Sequence, residues 1–494
     1  MKLITWVREK IRMLLKTNAD KAFGVKTYMS NEMEQAIQLW KQLEGSNGLK
    51  PPWVDEDTKT IRFSNTIARE LASLITQNID IKVQAAYGES EKSEYIQKNI
   101  DTDFLTNVQE IVEKMIRLGG VMAKWNGTGV EYLTPDMFLV TDYDSEGNIN
   151  GCIFFSYYSE NEKFFTRAEW HRFETISKKK DDSGEESYGN VYKISNKSYV
   201  SEDTNEIGRE IPLKKTKWKD IESEVRVENL KNSLFKYFKN PFSNTIDPDS
   251  PLGVSAFSES IEELRWLDIA ISTMGVETED SKPIVFVSQS AIQFANINNI
   301  KLPRYVQGLE MGNTVDNTIE QWNPTMQVAS RIEGINFLLS IISYKAGFDP
   351  GYFVFDGQKV TMATATQVES SEQRTINTVM SYRNLFERPK SNGDGRVGFI
   401  HDLAYIIDAT ATMDGKFPPE DFGNYEIFCS FADLTSNAEE DKAFSYQLAQ
   451  NGYISKARFL VLHMGYTEEE AIQLVEEARA EREESNSVGL FGDE

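Results

Sequence analysis

The stretch "GVSAFSESIEELRWLDIAISTMGVET", residues 253–278, decides how the chain is read. Val254, Phe257, Ile261, Leu264, Leu267, Ile271 and Met274 follow one another at steps of three or four. That spacing puts side chains on one side of a helix with 3.6 residues per turn. The stripe is long and narrow, the kind that seals against a neighbouring helix rather than one that floors a broad core. A second helix of the same kind is expected from Met326 to Ala346, with Val328, Ile332, Ile335, Leu338, Leu339 and Ile342 on its face. Between them, "KPIVFVSQS" (282–290) to "IEQWNP" (319–324) reads as a small α/β insert with strands of its own. Two long helices bracketing a small insert make a stalk with a head at its end.

Beyond the second helix lies "GYFVFDGQKVTMATATQV", residues 351–368. Apolar residues alternate to Phe355, a turn follows at Gly357, and a run of small residues leads into another helix. Thr364 and Gln367 have capping-box spacing, so the chain becomes helical there and runs to about Glu387, ahead of Pro389. The stretch carries no His, no Cys and one carboxylate, Asp356, so it is read for shape rather than reactivity.

The N-terminal half changes period along its length. "NTIARELASLI" (65–75) reads as a helix capped by Asn65, and the helix ending "MIRLGG" stops at Gly119 and Gly120. Six period-two segments between Val121 and Val200 then read as an antiparallel sheet, with "SKKKDDSGEESYGN" (177–190) as its mobile loop. The C-terminal region from Ala438 to Ser485 reads as helices with sharp caps. Eight Glu against two Arg between Glu468 and Glu484 argue against a helix–turn–helix face for DNA there, because such a face repels phosphate.

Bulk properties bound the rest. A length of 494 residues suggests roughly three compact units. No apolar run approaches the ~20 residues a membrane helix needs, and "MKLITWVREKIRMLLK" reads as an amphipathic helix, not a leader. Cys152 and Cys429 are too far apart in sequence for a disulfide framework or a zinc motif and point to a reducing compartment. The net charge of −24 argues against a chain that binds nucleic acid over its whole surface.

Enzymatic motifs are scarce. With only His171, His401 and His463, no His-based cluster forms, and His171 reads as a residue on a strand surface. "GDGRVG" (Gly393, Gly395, Gly398) satisfies GxGxxG, but a broken helix precedes it where a buried strand is needed. "DYDSEG" (142–147) begins like a calcium loop, yet Ile153 stands where a bidentate Glu is required, so it reads as a hairpin turn. No metal site and no cofactor are expected.

The order of these pieces, and several local strings, resemble the portal (head–tail connector) proteins of long-tailed phages of Gram-positive hosts. The strings are "ARELASLI", "RLGGVMAKW", "FKYFKNPFSNTIDPDSPLGVSAFSESIEELRWLD", "GFDPGYFVFD…TATQVESSEQRTINTV" and "LAQNGYISKARFLVLHMGYTEEEA". They run from about Ile61 to the C-terminal region. One departure is "LFERPKSNGDGRVGFIHDLAYII", where a less interrupted helical region is expected.

The resemblance implies an α+β portal-type fold. In it residues 1–250 form the N-terminal part of a wing, 251–280 and 326–348 a two-helix stem, and 281–325 a clip. Residues 349–363 form a tunnel loop, 364–424 a wing helix and return segment, and 425–494 a helical crown. It implies a ring, usually of twelve subunits, at a capsid vertex, assembled in the host cytoplasm, with double-stranded DNA passing along its axis. Its partners would be the terminase large subunit, a head–tail adaptor, and the major capsid and scaffolding proteins, with no membrane and no catalysis. Gly351, Phe353, Phe355, Asp356, Gly357, Gln358, Lys359 and Thr361 would then face the channel. The stripe from Val254 to Met274, with Ile332, Ile335 and Leu339, would form the seam between subunits. Three alternatives stay open: an ordinary wing hairpin at 351–361, another virion component such as a minor head or adaptor protein, and a nucleic-acid-modifying enzyme.

Overall fold

The computed structural model describes residues 23–87, 90–178, 187–203, 207–228, 230–281, 284–288, 293, 296–300, 306–309, 319–322, 327–354, 373–390, 395–431, 445–451, 454–464 and 470–478. The chain divides into two compact units, Met1–Phe431 and Ala432–Glu494, where length alone suggested three.

The first unit begins with two helices. Helix α1 (Asn31–Glu44) starts where the Ser30 hydroxyl accepts from the Met33 N–H and stops at Gly45 in the left-handed region. Its buried residues, Met33, Ile37, Trp40 and Leu43, recur at helical spacing. Helix α2 spans Phe63–Thr76. Asn65 does not cap it as expected: the helix starts two residues earlier, and the Asn65 amide instead donates to the Glu44 carbonyl at the end of α1. Strand β1 (Asp80–Gln84) follows, then α3 (Glu91–Asn99) and α4 (Val108–Leu118).

Gly119 stops α4 with φ +86°. A Cβ there would lie 2.3 Å from the Gly253 carbonyl oxygen, and one on Gly253 would lie 2.1 Å from that of Gly119. Two chain segments cross backbone to backbone, and only glycine permits it.

The period-two segments form two sheets rather than one. Strands β2 (Gly120–Trp125) and β3 (Val130–Leu133) belong to one; β4 (Phe138–Tyr143), β5 (Ile149–Glu160), β6 (Lys163–Lys178), β7 (Ser187–Ser201), β8 (Arg209–Ile211) and β9 (Glu224–Glu228) form the other. Strand β10 (Phe235–Lys239) returns to pair with β2, giving the order β10-β2-β3. "DYDSEG" is the β4–β5 hairpin turn, with Asp144 accepting from the backbone of Glu146 and Asn148. The strands around the acidic and basic run extend to Lys178 and from Ser187; residues 179–186 lie outside the described part.

Aromatic rings join the sheets to each other and to the helices. Phe154 on β5 meets Phe235 on β10 edge-on at 5.4 Å. Phe104, Phe238, Phe386 and Phe399 form a second cluster, with Phe238 stacked on Phe399 at 4.3 Å. Burying each such ring contributes about 1.5–3 kcal/mol.

A polar network threads the same core. His171 is not a surface residue as expected; it is 3% exposed. The Leu234 N–H donates to the Tyr192 hydroxyl, which pairs with His171 Nδ1 at 2.8 Å. His171 Nε2 meets Glu169 at 2.9 Å, and Lys124 reaches the other Glu169 oxygen at 2.7 Å from the neighbouring sheet. Even alternation does not reveal this, because β6 is covered on the face the alternation would assign to solvent.

Helix α5 spans Ile261–Asp280, followed by β11 (Ile284–Ser288), β12 (Val306–Leu309) and β13 (Ile319–Trp322), which form a three-stranded sheet of order β12-β11-β13. The insert thus has its own sheet. Helix α6 is Val328–Lys345 and α7 is Gln373–Phe386; the expected cap at Thr364 lies outside the described residues. The short hairpin of β14 (Arg388–Pro389) and β15 (Arg396–Val397) interrupts the helices as the sequence suggested, and α8 (Phe399–Met413) follows. At "GDGRVG", Gly398 packs against the Phe386 carbonyl, where a Cβ would come to 2.2 Å. Residues 391–394 lie outside the described part, and the first residues of α8, Phe399 and Ile400, are buried where a dinucleotide-binding helix opens on its ligand. Strand β16 (Glu426–Ser430) closes the unit by pairing with β1, which moves the boundary expected at 425 to 432. In the second unit α9 spans Lys456–Met464. The architecture is α+β, and among the described residues every strand pair is antiparallel except β11 with β12.

Candidate assembly surface on a helical hairpin

Helices α5 and α6 run antiparallel and are pinned at both ends. Near the insert, Arg331 of α6 pairs with Glu277 of α5; at the other end Lys345 of α6 meets Glu263 of α5 at 2.6 Å. Opposite charges placed on opposite helices at both ends fix the register of the pair.

The base of α5 is strapped to the body by residues that the sequence did not single out. Asp268, 3% exposed, accepts from Trp53 Nε1 and from the Ile61 N–H, both at 3.0 Å. One turn on, the Ser272 hydroxyl accepts from the Lys59 N–H at 2.8 Å and donates to the Lys59 carbonyl. An acid on the buried face of an otherwise apolar stripe was the available signal.

The expected seam residues separate into three groups. Val254 and Phe257 are not on the helix at all: a 3₁₀ turn at Ser258–Ser260 intervenes, and both side chains lie in the core of the body. Leu264, Leu267, Ile335 and Leu339 are buried within the single chain. Ile261, Ile271 and Met274 are half-buried, and Ile332 is exposed. The four buried residues and the two core residues have no surface to offer a neighbour.

What the hairpin does offer lies elsewhere on it. Trp266 is 55% exposed and Phe337 is 66% exposed. Phe337 stands two residues from both Ile335 and Leu339, about 200° round α6 from each, and Trp266 stands about 200° round α5 from Leu264 and about 100° from Leu267. Val276, Val328, Ile332 and Tyr344 add exposed apolar surface along the same hairpin. A Trp and a Phe thus stand in water on opposite helices of one hairpin, together with four further exposed apolar or aromatic residues, and exposed apolar patches of this kind mark interaction surfaces.

The segment after α6 is anchored where it leaves the body. Phe353 packs against Phe63 at 5.2 Å and Phe348 at 4.9 Å, and the Tyr352 hydroxyl donates to Glu70. The Asp349 N–H donates to the Thr375 hydroxyl, and that hydroxyl donates to the Asp349 carboxylate at 2.8 Å. The Gly347 carbonyl accepts from Thr378. The start of α7 is therefore tied to the residues just after α6. Gly351 is exposed at this base; Phe355, Asp356, Gly357, Gln358, Lys359 and Thr361 lie outside the described residues.

Among the described residues no group of three or more His, Cys, Asp or Glu could hold a metal ion, and no helix is long and apolar enough to cross a membrane. Burial pushes the Cys429 thiol up to about 12 and the Cys152 thiol well above its ordinary value. Neither offers a thiolate near neutrality.

No family model matches the chain. No curated protein matches it either. Among solved structures, a chain of the virion of a native gene transfer agent particle is similar at 8% identity and a TM-score of 0.40, covering 81% of this chain and 89% of the other. A chain of the neck of an empty gene transfer agent particle is similar at 9% identity and a TM-score of 0.39, with the same coverage. Likeness at this level assigns neither a fold family nor a function.

Proposed function

We propose that the chain is a phage-type virion structural protein, and specifically the subunit of a portal ring. The observation that carries this reading is the antiparallel hairpin of α5 and α6, with Trp266 and Phe337 in solvent on its two outer faces. Two different faces, each apolar, suit a head-to-tail contact in which one copy's α5 meets the next copy's α6. Such heterologous contacts make closed rings when the rotation closes.

In this reading the hairpin is the stem and the three-stranded sheet beyond it is the clip, the docking place for a terminase large subunit and a head–tail adaptor. Residues 349–363, whose start is anchored on α2 and α7, reach the channel. Double-stranded DNA passes along the axis, and the ring sits at the capsid vertex of the virion among the major capsid and scaffolding proteins. The chain performs no catalysis; the work of packaging comes from the docked motor. Its net charge of −24 suits a channel from which DNA must slide freely, because each Lys–phosphate contact adds affinity.

Sedimentation of Trp266→Asp, Phe337→Asp and the double variant tests the reading. Each should leave the chain folded and reduce a ring to monomers, since a charge set in an apolar seam is costly. Folded variants that sediment as the wild type does would remove the hairpin from the assembly contact.

A further inference from the structure

The loop from Pro212 to Asp220, "PLKKTKWKD", carries four lysines in six residues on a chain of net charge −24. Its inward residues are Leu213, Thr216 and Trp218, all buried, and its outward residues include Lys214, Lys215, Lys217 and Lys219, all exposed. The loop is held in one shape. The Thr216 hydroxyl donates to the Leu213 carbonyl at 2.8 Å and accepts from the Trp218 N–H at 3.1 Å, and the Lys217 N–H donates to the Tyr158 hydroxyl.

Beneath it, Tyr158 stacks on Phe165 at 4.5 Å and meets the edge of Trp218 at 4.9 Å, while the Lys217 ammonium lies 4.5 Å over the Tyr158 ring. Arg209 and Lys163 are exposed on neighbouring strands. None of these six cations forms an ion pair among the described residues. Acids border the loop: Glu210, Asp220, Glu222 and Glu224 line the same cleft as Lys214 and Lys219, Glu160 pairs across the strands with Lys163, and Glu210 lies 3.8 Å from Lys197.

We propose that this loop is a docking platform for the phosphates of double-stranded DNA, separate from any channel and independent of the ring reading. The distinction from a protein-binding surface lies in what is missing at its centre. Protein interfaces are built round exposed aromatic or apolar anchors, whereas here Trp218 and Leu213 are buried and Tyr158 is half-buried between Phe165 and Lys217. What the loop itself turns outward is four ammonium groups, which bind phosphate as point charges without reading sequence.

The test is binding of the full-length protein to a fluorescent DNA duplex of random sequence across a salt series. The variant carries Lys214→Gln, Lys215→Gln, Lys217→Gln and Lys219→Gln together, and a second carries the same four positions as Arg. Because log affinity falls by about 0.9 per neutralised phosphate for each decade of salt, the Gln variant should lose up to about 3.6 units of slope and bind at least tenfold more weakly at low salt. The Arg variant should keep both, with an unchanged melting temperature in each. Wild-type protein that binds no duplex, or a Gln variant that binds as tightly, overturns the proposal. So does a poly-Glu peptide that displaces the duplex at equal charge concentration, which would assign the loop to an acidic protein.

Discussion

His171 and Glu169 show how a buried polar network makes this fold depend on pH. Neutral His171 donates from Nε2 to Glu169 and accepts at Nδ1 from Tyr192, a tautomer assigned from its partners. Burial holds the His171 pKa below its ordinary value, in spite of the Glu169 carboxylate beside it. For Glu169, burial pushes the carboxyl up, but Lys124, His171 and Arg167 outweigh it and hold it well below the usual carboxylate range. Both groups bind protons more readily in the unfolded chain. Stability is therefore full above the unfolded His value of about 6.5 and declines below it, with a further loss as Glu169 protonates below about 4.3. We expect the melting temperature to fall between pH 7 and pH 5, and His171→Gln to flatten that fall. A wild-type melting temperature constant over that range would contradict the assignment. Removing one partner is worse: Glu169→Gln leaves Lys124 buried and poorly paired and should cost about 3–5 kcal/mol in urea unfolding. None of this was legible from one histidine in an alternating strand, because its burial comes from a second sheet whose strands lie elsewhere in the chain.

The helical hairpin marks how far periodicity carries an element. The steps of three and four correctly indicated a long helix and its inner face, including Leu264, Leu267, Ile335 and Leu339. They overran at the start. Val254 and Phe257 keep the same spacing, but Gly253 crosses Gly119 and a 3₁₀ turn follows, so those two side chains enter the body. Trp266 and Phe337 stood off the stripe, and an apolar residue off the stripe has no reading until burial is known. A consequence follows for mutagenesis: Leu264→Asp would unfold the chain and report little about assembly, whereas Trp266→Asp should change its unfolding free energy by no more than about 0.5 kcal/mol.

The end pairs should matter modestly. Both are partly solvated, so breaking Glu263–Lys345 should cost about 0.5–1 kcal/mol. Exchanging the two residues should recover most of it, measured by a double-mutant cycle in urea. Gly347 is a stricter position. Its φ is +90°, and a Cβ would meet Thr378 at 2.7 Å. Gly347→Ala should destabilise by about 1–3 kcal/mol through strain at the exit of α6, with Gly351→Ala, at an open position, as the silent control.

At the scale of the molecule, the order of helices, sheets, hairpin and insert was legible because each change of period is local. The split of the strands into two sheets was not, since β10 returns to β2 across more than a hundred residues. The basic loop at 212–220 was hidden for the opposite reason: a net charge of −24 averages it away. In the proposed ring, copies of this chain meet through the two outer faces of the hairpin. Negative-stain imaging of the purified full-length protein tests that claim most directly. Axial views should show closed rings of a single subunit number with a central hole that admits a DNA duplex, and Trp266→Asp/Phe337→Asp protein should show none. Monomers, compact dimers or open filaments in the wild-type images would contradict it.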